Sequence, residues 1–276
     1  MATLVVVSVA FLMGLGVAFG VGLALAAQKF RVETDPRVDE VLVALPGINC
    51  GSCGYAGCAA YAAAVTKGEK VDLCTPGGAP VAKAVATIMG QELTGGHEKR
   101  RAVVHCQGGW AEAKQVFEYS GVQDCRAAAL VHGGPKACKY GCLGYGTCAS
   151  VCPFEAILMS PNGLPIIIEE RCTACGLCVK ACPVPIMSIL PSKQGFFLGC
   201  SNPIARGKTV KEQCARGCIK CRLCVKVTKS EAIAMEGPLP KIDYDKGQDF
   251  DAAFEKCPMN CYVDQGRVAA EAPQAS

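Results

Sequence analysis

The chain has 276 residues, a formal net charge of +4, 51% hydrophobic and 19% charged residues, and 21 cysteines. This length suggests roughly two domains, and 31 Gly with 16 Pro indicate loop-rich modules rather than one large core. An odd number of cysteines in so long a chain argues against a complete disulfide framework and favours clustered metal ligands. The small net charge excludes little, and we expect no nucleic-acid partner.

The first 28 residues predict a transmembrane anchor. They carry no charge, and a helix over residues 4–27 would span about 36 Å. A cleaved signal peptide would have a basic start and a shorter apolar core, so we expect a retained single span; a buried core helix is the alternative. Lys29 and Arg31 follow the span directly, and the positive-inside tendency then places the rest of the chain on the cytoplasmic side of the inner membrane.

A first cysteine group follows with the spacing C-x2-C-x4-C-x15-C. Three thiolates on one glycine-rich turn suit a cubane cluster, and the fourth cysteine returns after a helix predicted over residues 59–65. Zinc would also accept four thiolates, but it more often uses two separated C-x2-C pairs, so we favour 4Fe–4S. The predicted ligands of cluster 1 are Cys50, Cys53, Cys58 and Cys74.

Two further groups, each ending in Cys-Pro, match the bacterial two-cluster ferredoxin pattern, although the first is stretched to C-x3-C-x5-C-x3-C. In that pattern the fourth cysteine of a group ligates the other cluster. Short strands are expected between the groups, at residues 156–159 and 165–169. The predicted ligands of cluster 2 are Cys138, Cys142, Cys148 and Cys182. The predicted ligands of cluster 3 are Cys152, Cys172, Cys175 and Cys178.

A third repeat retains the ligands of one cluster only. Aligning its Cys-Pro pair with that of the second group puts four other residues where the second cluster's ligands would stand: Thr228, Gly247, Phe250 and Ala253. The predicted ligands of cluster 4 are Cys218, Cys221, Cys224 and Cys257. The remaining cysteines are interpreted as small buried apolar side chains, with Cys214 and Cys261 as alternative ligands for Cys218 and Cys257. They are Cys106, Cys125, Cys200, Cys214 and Cys261.

Four 4Fe–4S clusters in one chain predict an electron conduit, because each centre transfers one electron at a tuned potential. No Rossmann glycine motif, P-loop or nucleophile motif accompanies the cysteines. Substrate chemistry is therefore expected on partner subunits, and this chain is expected to relay electrons only.

The residues resemble a known family. The uncharged anchor, the first cysteine group, G-V-Q-D-C-R-A-A at residues 121–128 and G-G-P-K-A-C-K-Y-G-C-L-G at residues 133–144 are similar to the B subunit of the Rnf complex. The resemblance covers residues 1–190 and continues more loosely over 200–262. It implies a membrane-bound ferredoxin:NAD oxidoreductase coupled to Na⁺ or H⁺ translocation. This subunit would exchange electrons with soluble ferredoxin and relay them to other membrane and flavin- or NAD-binding subunits.

A basic segment bears on the ferredoxin partner. Residues 206–229 contain eight basic residues and one acidic residue. Ferredoxins of this class are commonly acidic, so we expect Lys220 and Arg222 to steer their docking; a merely solvated surface is the alternative.

The predicted fold is α+β: a transmembrane helix, a small helical 4Fe–4S domain, a two-cluster ferredoxin-like domain and a degenerate ferredoxin-like module. Three other functions stay open: the iron–sulfur subunit of another membrane oxidoreductase, a complex that reduces a redox-sensing regulator, and a zinc-stabilised interaction scaffold. The predicted boundaries are 1–28 (anchor), 29–95 (4Fe–4S domain), 96–130 (connecting segment), 131–192 (two-cluster domain), 193–264 (degenerate module) and 265–276 (flexible tail).

Overall fold

A computed structural model describes residues 2–29, 35–93 and 98–265 of the chain. Helices and short two-stranded antiparallel sheets alternate along it after one long N-terminal helix. All of the predicted tail except residue 265 lies outside the described residues.

Helix α1 (Ala2–Lys29) is long and apolar enough to cross a membrane. Its span Val6–Lys29 has a mean hydropathy of 2.3, and none of its most apolar window is buried against the rest of the chain. An apolar helix that is exposed on every side needs an apolar surrounding, which a lipid bilayer supplies.

A small helical unit follows, formed by α2 (Pro36–Ala44), α3 (Cys58–Val65) and α4 (Gly78–Met89). Asp35 caps α2 by accepting a hydrogen bond from the backbone N of Arg37 at 2.9 Å, and Pro36 occupies the first helical position, where its missing N–H costs nothing. The three helices bury a common core that includes Val41, Tyr61, Val65 and Val85. Helix α3 lies where the sequence predicted a helix over residues 59–65.

The next unit is a ferredoxin-type module in which the opening and closing strands pair. Its hairpin of β2 and β3 corresponds to the two short strands predicted from sequence, and β1 pairs with β4 from Arg100 opposite Pro191 to Val104 opposite Met187. Strand β1 belongs to the segment predicted as a connector, yet four of its five residues are buried, and Ala102 and Val104 belong to the core that holds Cys142, Cys148 and Cys178. The elements are β1 (Arg100–Val104), α5 (Cys125–Leu130), α6 (Thr147–Ser150), β2 (Ile157–Met159), β3 (Pro165–Ile167), α7 (Leu177–Ala181) and β4 (Met187–Pro191).

The last unit repeats this plan. Its opening strand β5 pairs with its closing strand β8, and β6 and β7 form a hairpin. Glu155 and Glu231 precede the corresponding hairpins with similar positive φ angles of 49° and 56°, so the repeat extends to backbone conformation. The elements are β5 (Phe196–Leu198), α8 (Gly207–Gln213), α9 (Leu223–Val227), β6 (Ile233–Glu236), β7 (Leu239–Ile242), α10 (Asp251–Lys256) and β8 (Tyr262–Asp264).

Aromatic packing fills the region of the last unit where sequence alignment found no ligands. Phe250 stacks on Phe196 with ring centroids 4.6 Å apart, and Phe196 stacks on Tyr262 at 4.8 Å. Thr228 is buried and its hydroxyl donates to the carbonyl of Cys224 at 2.9 Å. A packed apolar core therefore occupies the place of a second cluster.

Candidate metal centres

The first set of cysteines lies on the turn before α3 and the loop before α4. Its four members line one cavity: Cys50, Cys53, Cys58 and Cys74. Asn49 supports the turn, because its Oδ1 accepts a hydrogen bond from the backbone N of Cys58 at 2.8 Å. Burial raises the pKa of the Cys74 thiol, and the three other cysteines raise it further. The structure thus brings together all four residues predicted for cluster 1.

The third set contains the four residues predicted for cluster 3: Cys152, Cys172, Cys175 and Cys178. Burial raises the pKa of the Cys178 thiol to about 12, with further contributions from Cys172, Cys175 and Cys148. Burial also raises the pKa of Cys175, and its thiol interacts with Cys50 and Cys152. The electrostatic interaction of Cys175 with Cys152 agrees with the exchange expected of a two-cluster ferredoxin.

The second set differs from the sequence prediction by one residue. Its members line one cavity: Cys125, Cys142, Cys148 and Cys182. Cys138, predicted here, lines a different cavity. The five-residue loop after Cys142 carries no cysteine, and Cys125 reaches the cavity from the start of α5 instead. The cysteine spacing did not predict Cys125 at this site. Cys125 is held there by a tertiary contact with Thr147, which lies 22 residues further along the chain.

Cys125 is held in place by two polar neighbours. Its backbone N donates to Thr147 Oγ1 at 2.7 Å, and that hydroxyl donates to Asp124 Oδ2 at 3.1 Å. Asp124 also caps α5, where its Oδ1 accepts from the backbone N of Arg126 at 2.7 Å. The hydrogen bond from the Arg126 guanidinium is the main reason that the pKa of this carboxyl is lowered to about 2. Asp124 therefore stays ionised and remains an effective cap.

The fourth set contains the four residues predicted for cluster 4. They line one cavity together with Cys261: Cys218, Cys221, Cys224 and Cys257. A hydrogen bond with the Cys261 thiol lowers the pKa of Cys257 to about 6 and that of Cys218 to about 7, while the pKa of Cys261 itself is raised. Cys261 Sγ lies 3.5 Å from Cys257 Sγ, and the backbone N of Cys261 donates to the same sulfur at 3.5 Å. Cys221 is exposed at the surface.

Four more cysteines line one cavity that no sequence motif predicted. They are Cys106, Cys138, Cys200 and Cys214. Burial raises the pKa of Cys214 to about 11, and its thiol interacts with the three others. Cys214, expected as an alternative to Cys218, lies in this cavity and not in that of the fourth set. We call these four residues the bridging set.

The two basic residues expected to meet a partner have different environments. Lys220 is half-buried, and its Nζ donates to the carbonyl of Asn202 at 2.9 Å, so this side chain stabilises the fold. Arg222 is exposed beside exposed Cys221, and it adopts a φ of 61° that turns the chain into α9. Of the pair, Arg222 is the one whose side chain makes no hydrogen bond to the backbone of the described residues, and it is the better candidate for a docking contact.

The donor sets fit iron–sulfur clusters better than zinc. A zinc ion takes four thiolates at about 2.3 Å each, whereas in a cubane each thiolate binds a different iron and the sulfurs stand farther apart. Within residues 2–29, 35–93 and 98–265, no group of three or more His, Cys, Asp or Glu side chains has the spacing that suits a single metal ion. The cavities of the first, second and fourth sets have similar empty volumes, about 320, 390 and 360 Å³.

Two family models match the cysteine-rich parts of the chain. A model described as "Putative Fe-S cluster" matches residues 45–76, which hold the first set. A model described as "4Fe-4S binding domain" matches residues 165–188, which hold most of the third set.

Curated relatives match almost the whole chain. The B subunit of a Na(+)-translocating ferredoxin:NAD(+) oxidoreductase complex from Acetobacterium woodii is 47% identical over 93% of this chain and 77% of its own length. The B subunit of an ion-translocating oxidoreductase complex from Methanosarcina acetivorans is 39% identical over 94% of this chain and 98% of its own. The chain belongs to the family of Rnf B subunits. A further member, from the proton-translocating ferredoxin:NAD(+) oxidoreductase complex of Clostridium ljungdahlii, is 44% identical over 83% of this chain and 81% of its own.

Membership of the family of Rnf B subunits makes this chain an iron–sulfur electron-transfer subunit. Two signals in its sequence could have revealed the residues that motif reasoning missed. The pentapeptide C-x2-G-C occurs twice, at residues 138–142 and 214–218, and a cysteine stands two residues after each module's opening strand, at Cys106 and Cys200. The pentapeptide is informative only as a repeat in the two modules, and Cys106 and Cys200 lie outside the ferredoxin spacing.

Proposed function

We propose that this subunit accepts electrons from a soluble ferredoxin and relays them through 4Fe–4S clusters to membrane and flavin- or NAD-binding subunits of an Rnf-type complex. The proposal rests on four separate sets of four cysteines in a chain whose relatives are named as B subunits of ion-translocating oxidoreductases. NAD reduction coupled to Na⁺ or H⁺ translocation would then be the activity of the whole complex, as the names of two relatives state for theirs.

The ligands that we propose are those that the fold brings together. Clusters 1, 3 and 4 take the residues predicted from sequence, and cluster 2 takes Cys125 in place of Cys138. When bound, such clusters supply one-electron transfer at low potential. The chain's own residues fix the sulfurs, supply N–H groups to them and exclude water from the buried sets.

The fourth set supports a contact with ferredoxin at the C-terminal module. Its Cys221 is exposed, whereas most members of the other sets are buried or half-buried, and Arg222 flanks it within the basic segment. Electron transfer between proteins needs a centre close to the surface, and positive charge around that centre attracts an acidic partner.

The membrane anchor supports a fixed position at the inner membrane. Helix α1 ends at Lys29, a basic residue in its last turn, which favours the cytoplasmic side for the modules that follow. Soluble ferredoxin and NAD would meet the complex on that side.

The direct test is to mix chemically reduced ferredoxin with the full chain, purified anaerobically in detergent, separate the two proteins anaerobically, and compare the visible iron–sulfur absorption of each before and after mixing. We expect partial bleaching of the chain and a matching return of colour in ferredoxin, because each electron that enters the chain's clusters leaves ferredoxin oxidised. If dithionite bleaches the chain but reduced ferredoxin does not, ferredoxin is not its electron donor. If the metal content is zinc with little iron or sulfide, the electron-transfer function itself is wrong.

A further inference from the structure

The bridging set lies between the two ferredoxin-type modules and draws two cysteines from each. Cys106 follows β1 and Cys200 follows β5, each two residues past the strand, and the two residues pair with each other as an antiparallel bridge. Cys138 and Cys214 each begin the pentapeptide C-x2-G-C. Equivalent positions of two repeated modules thus meet in one cavity, which chance burial of spare cysteines does not explain.

Hydrogen bonds to the sulfurs repeat the same symmetry. The backbone N of Cys142 donates to Cys106 Sγ at 3.2 Å, and the backbone N of the equivalent Cys218 donates to Cys200 Sγ at 3.3 Å. Asn202, which is buried, donates from Nδ2 to Cys138 Sγ at 3.5 Å. The backbone N of Arg216 donates to Cys214 Sγ at 3.4 Å. Every sulfur of the set therefore accepts an N–H, as thiolate ligands of iron–sulfur clusters do.

Glycines keep the wall of this cavity free of side chains. A Cβ on Gly108 would lie 2.9 Å from Cys214 Sγ, and a Cβ on Gly141 would lie 3.6 Å from the sulfurs of both Cys106 and Cys138. The cavity has an empty volume of about 370 Å³, within the range of the three other cysteine-lined cavities. The volume of this cavity and its four cysteine sulfurs therefore match those of the predicted cluster sites.

A buried positive charge faces the set. Lys136 is 1% exposed, its Nζ donates to the carbonyl of Gly108 at 2.9 Å, and it lies over the ring of Trp110 at 4.3 Å. Within the described ranges it forms no ion pair with a carboxylate. A buried ammonium that forms no ion pair is costly, and Glu112 interacts with it only at longer range. A cluster held by four thiolates carries negative charge that would offset the ammonium.

We propose that Cys106, Cys138, Cys200 and Cys214 ligate a further 4Fe–4S cluster, so that the chain holds five. The inference rests on the iron–sulfur function proposed above. Five sets of four then account for all the cysteines except Cys261, whose Sγ lies 3.5 Å from Cys257 Sγ in the cavity of the fourth set.

This position joins the two halves of the chain. The hydrogen bond from Cys142 connects the bridging set to a ligand of the second set, and that from Cys218 connects it to a ligand of the fourth. Electrostatic interactions of Cys178 with Cys148 and of Cys175 with Cys50 place the third set near the second and the first. A cluster in the bridging set would accept one electron from the neighbouring centre on one side, and that centre would be oxidised. It would then pass the electron to the centre on its other side and be reoxidised.

Iron, acid-labile sulfide and zinc per chain test the proposal on the full chain, purified anaerobically in detergent. We expect about 20 iron and 20 sulfide, against about 16 for four cubanes. The double variant Cys106→Ala/Cys200→Ala should lose about four of each, together with one cluster's share of the reduced EPR signal. Val210→Ala is the matched control, because Val210 is fully buried in the wall of the same cavity but is no ligand; it should keep the full content.

A wild-type content of about 16 iron overturns the proposal, with or without one zinc, and this measurement does not depend on any variant folding. A double variant that keeps about 20 iron overturns the assigned ligands. Failure of the bridging-cluster proposal is distinguishable from failure of the proposed function. A chain with 16 iron that ferredoxin reduces lacks the bridging cluster only. A chain with 20 iron that ferredoxin does not reduce has a different electron donor.

Discussion

At the residue scale, one threonine positions Cys125 in the cavity of the second set. The Thr147 hydroxyl is buried, accepts the backbone N–H of Cys125 and donates to the carboxylate that caps α5. Leaving a buried N–H without an acceptor costs about 1–3 kcal/mol. Thr147 is therefore a positioning residue for Cys125, a proposed ligand that lies outside the ferredoxin motif.

We predict that Thr147→Val destabilises the loaded protein by about 1–3 kcal/mol, because valine keeps the shape but removes both hydrogen bonds. The apparent Tm, measured anaerobically by circular dichroism, should fall by several degrees. Thr87→Val is the control: its exposed hydroxyl donates to Lys83 O within α4, and we expect a change within about 0.5 kcal/mol. Equal Tm values for Thr147→Val and wild type would contradict the role given to Thr147.

A second residue-scale prediction concerns the docking charge at Arg222. Arg222→Glu should slow reduction by an acidic ferredoxin about tenfold at low ionic strength, and the difference should fade at high salt as the field is screened. Stopped-flow rates over a salt series measure both. Lys67→Glu, an equal charge change on the exposed surface of the helical unit, should have little effect. The docking site is elsewhere if the two variants behave alike.

At the element scale, the last module has aromatic packing between β5, α10 and β8 where the preceding module carries the cysteines proposed to hold cluster 3. Phe250, 7% exposed, stacks on Phe196 and meets Tyr244 edge-on with ring centroids 6.0 Å apart. A Cβ on Gly247 would lie 2.5 Å from Ser230 Cβ, so this turn has closed around a small residue. The module keeps its strand pairing because hydrophobic burial substitutes for the ligand bonds.

We predict that Phe250→Ala costs about 3–5 kcal/mol of stability through the cavity it leaves, without loss of iron from the chain. Phe250→Leu, which keeps most of the apolar volume, should cost much less. Anaerobic thermal unfolding and iron analysis on the same samples measure the two effects separately. Loss of about four iron from Phe250→Ala would show that this aromatic core also holds the fourth set in place.

At the scale of the whole molecule, the anchor and the iron–sulfur modules are separate in packing. The apolar window of α1 has no buried residue, whereas the cysteine sets share cores with the strands and helices around them. Membrane attachment and cluster binding should therefore be separable.

We predict that a fragment of residues 29–276 stays in the soluble fraction and keeps the iron content per chain of the full protein. Ultracentrifugation after anaerobic lysis, followed by iron analysis, measures both quantities. The full chain under the same conditions should sediment with the membranes. A fragment that still sediments would locate a second membrane contact in the modules.

The sequence alone determined the anchor, the cysteine motifs and their family, because hydropathy and ligand spacing are local properties that adjacent residues express directly. It also predicted the β2–β3 strands and helix α3. Tertiary structure decided which cysteines share a cavity. Cys125 replaces Cys138 in the second set, and Cys138 joins Cys106, Cys200 and Cys214, because the strand pairs β1–β4 and β5–β8 fold distant segments against each other. Such contacts do not follow from the spacing within one ferredoxin motif, and only the repeat of C-x2-G-C in the two modules indicates them in the sequence.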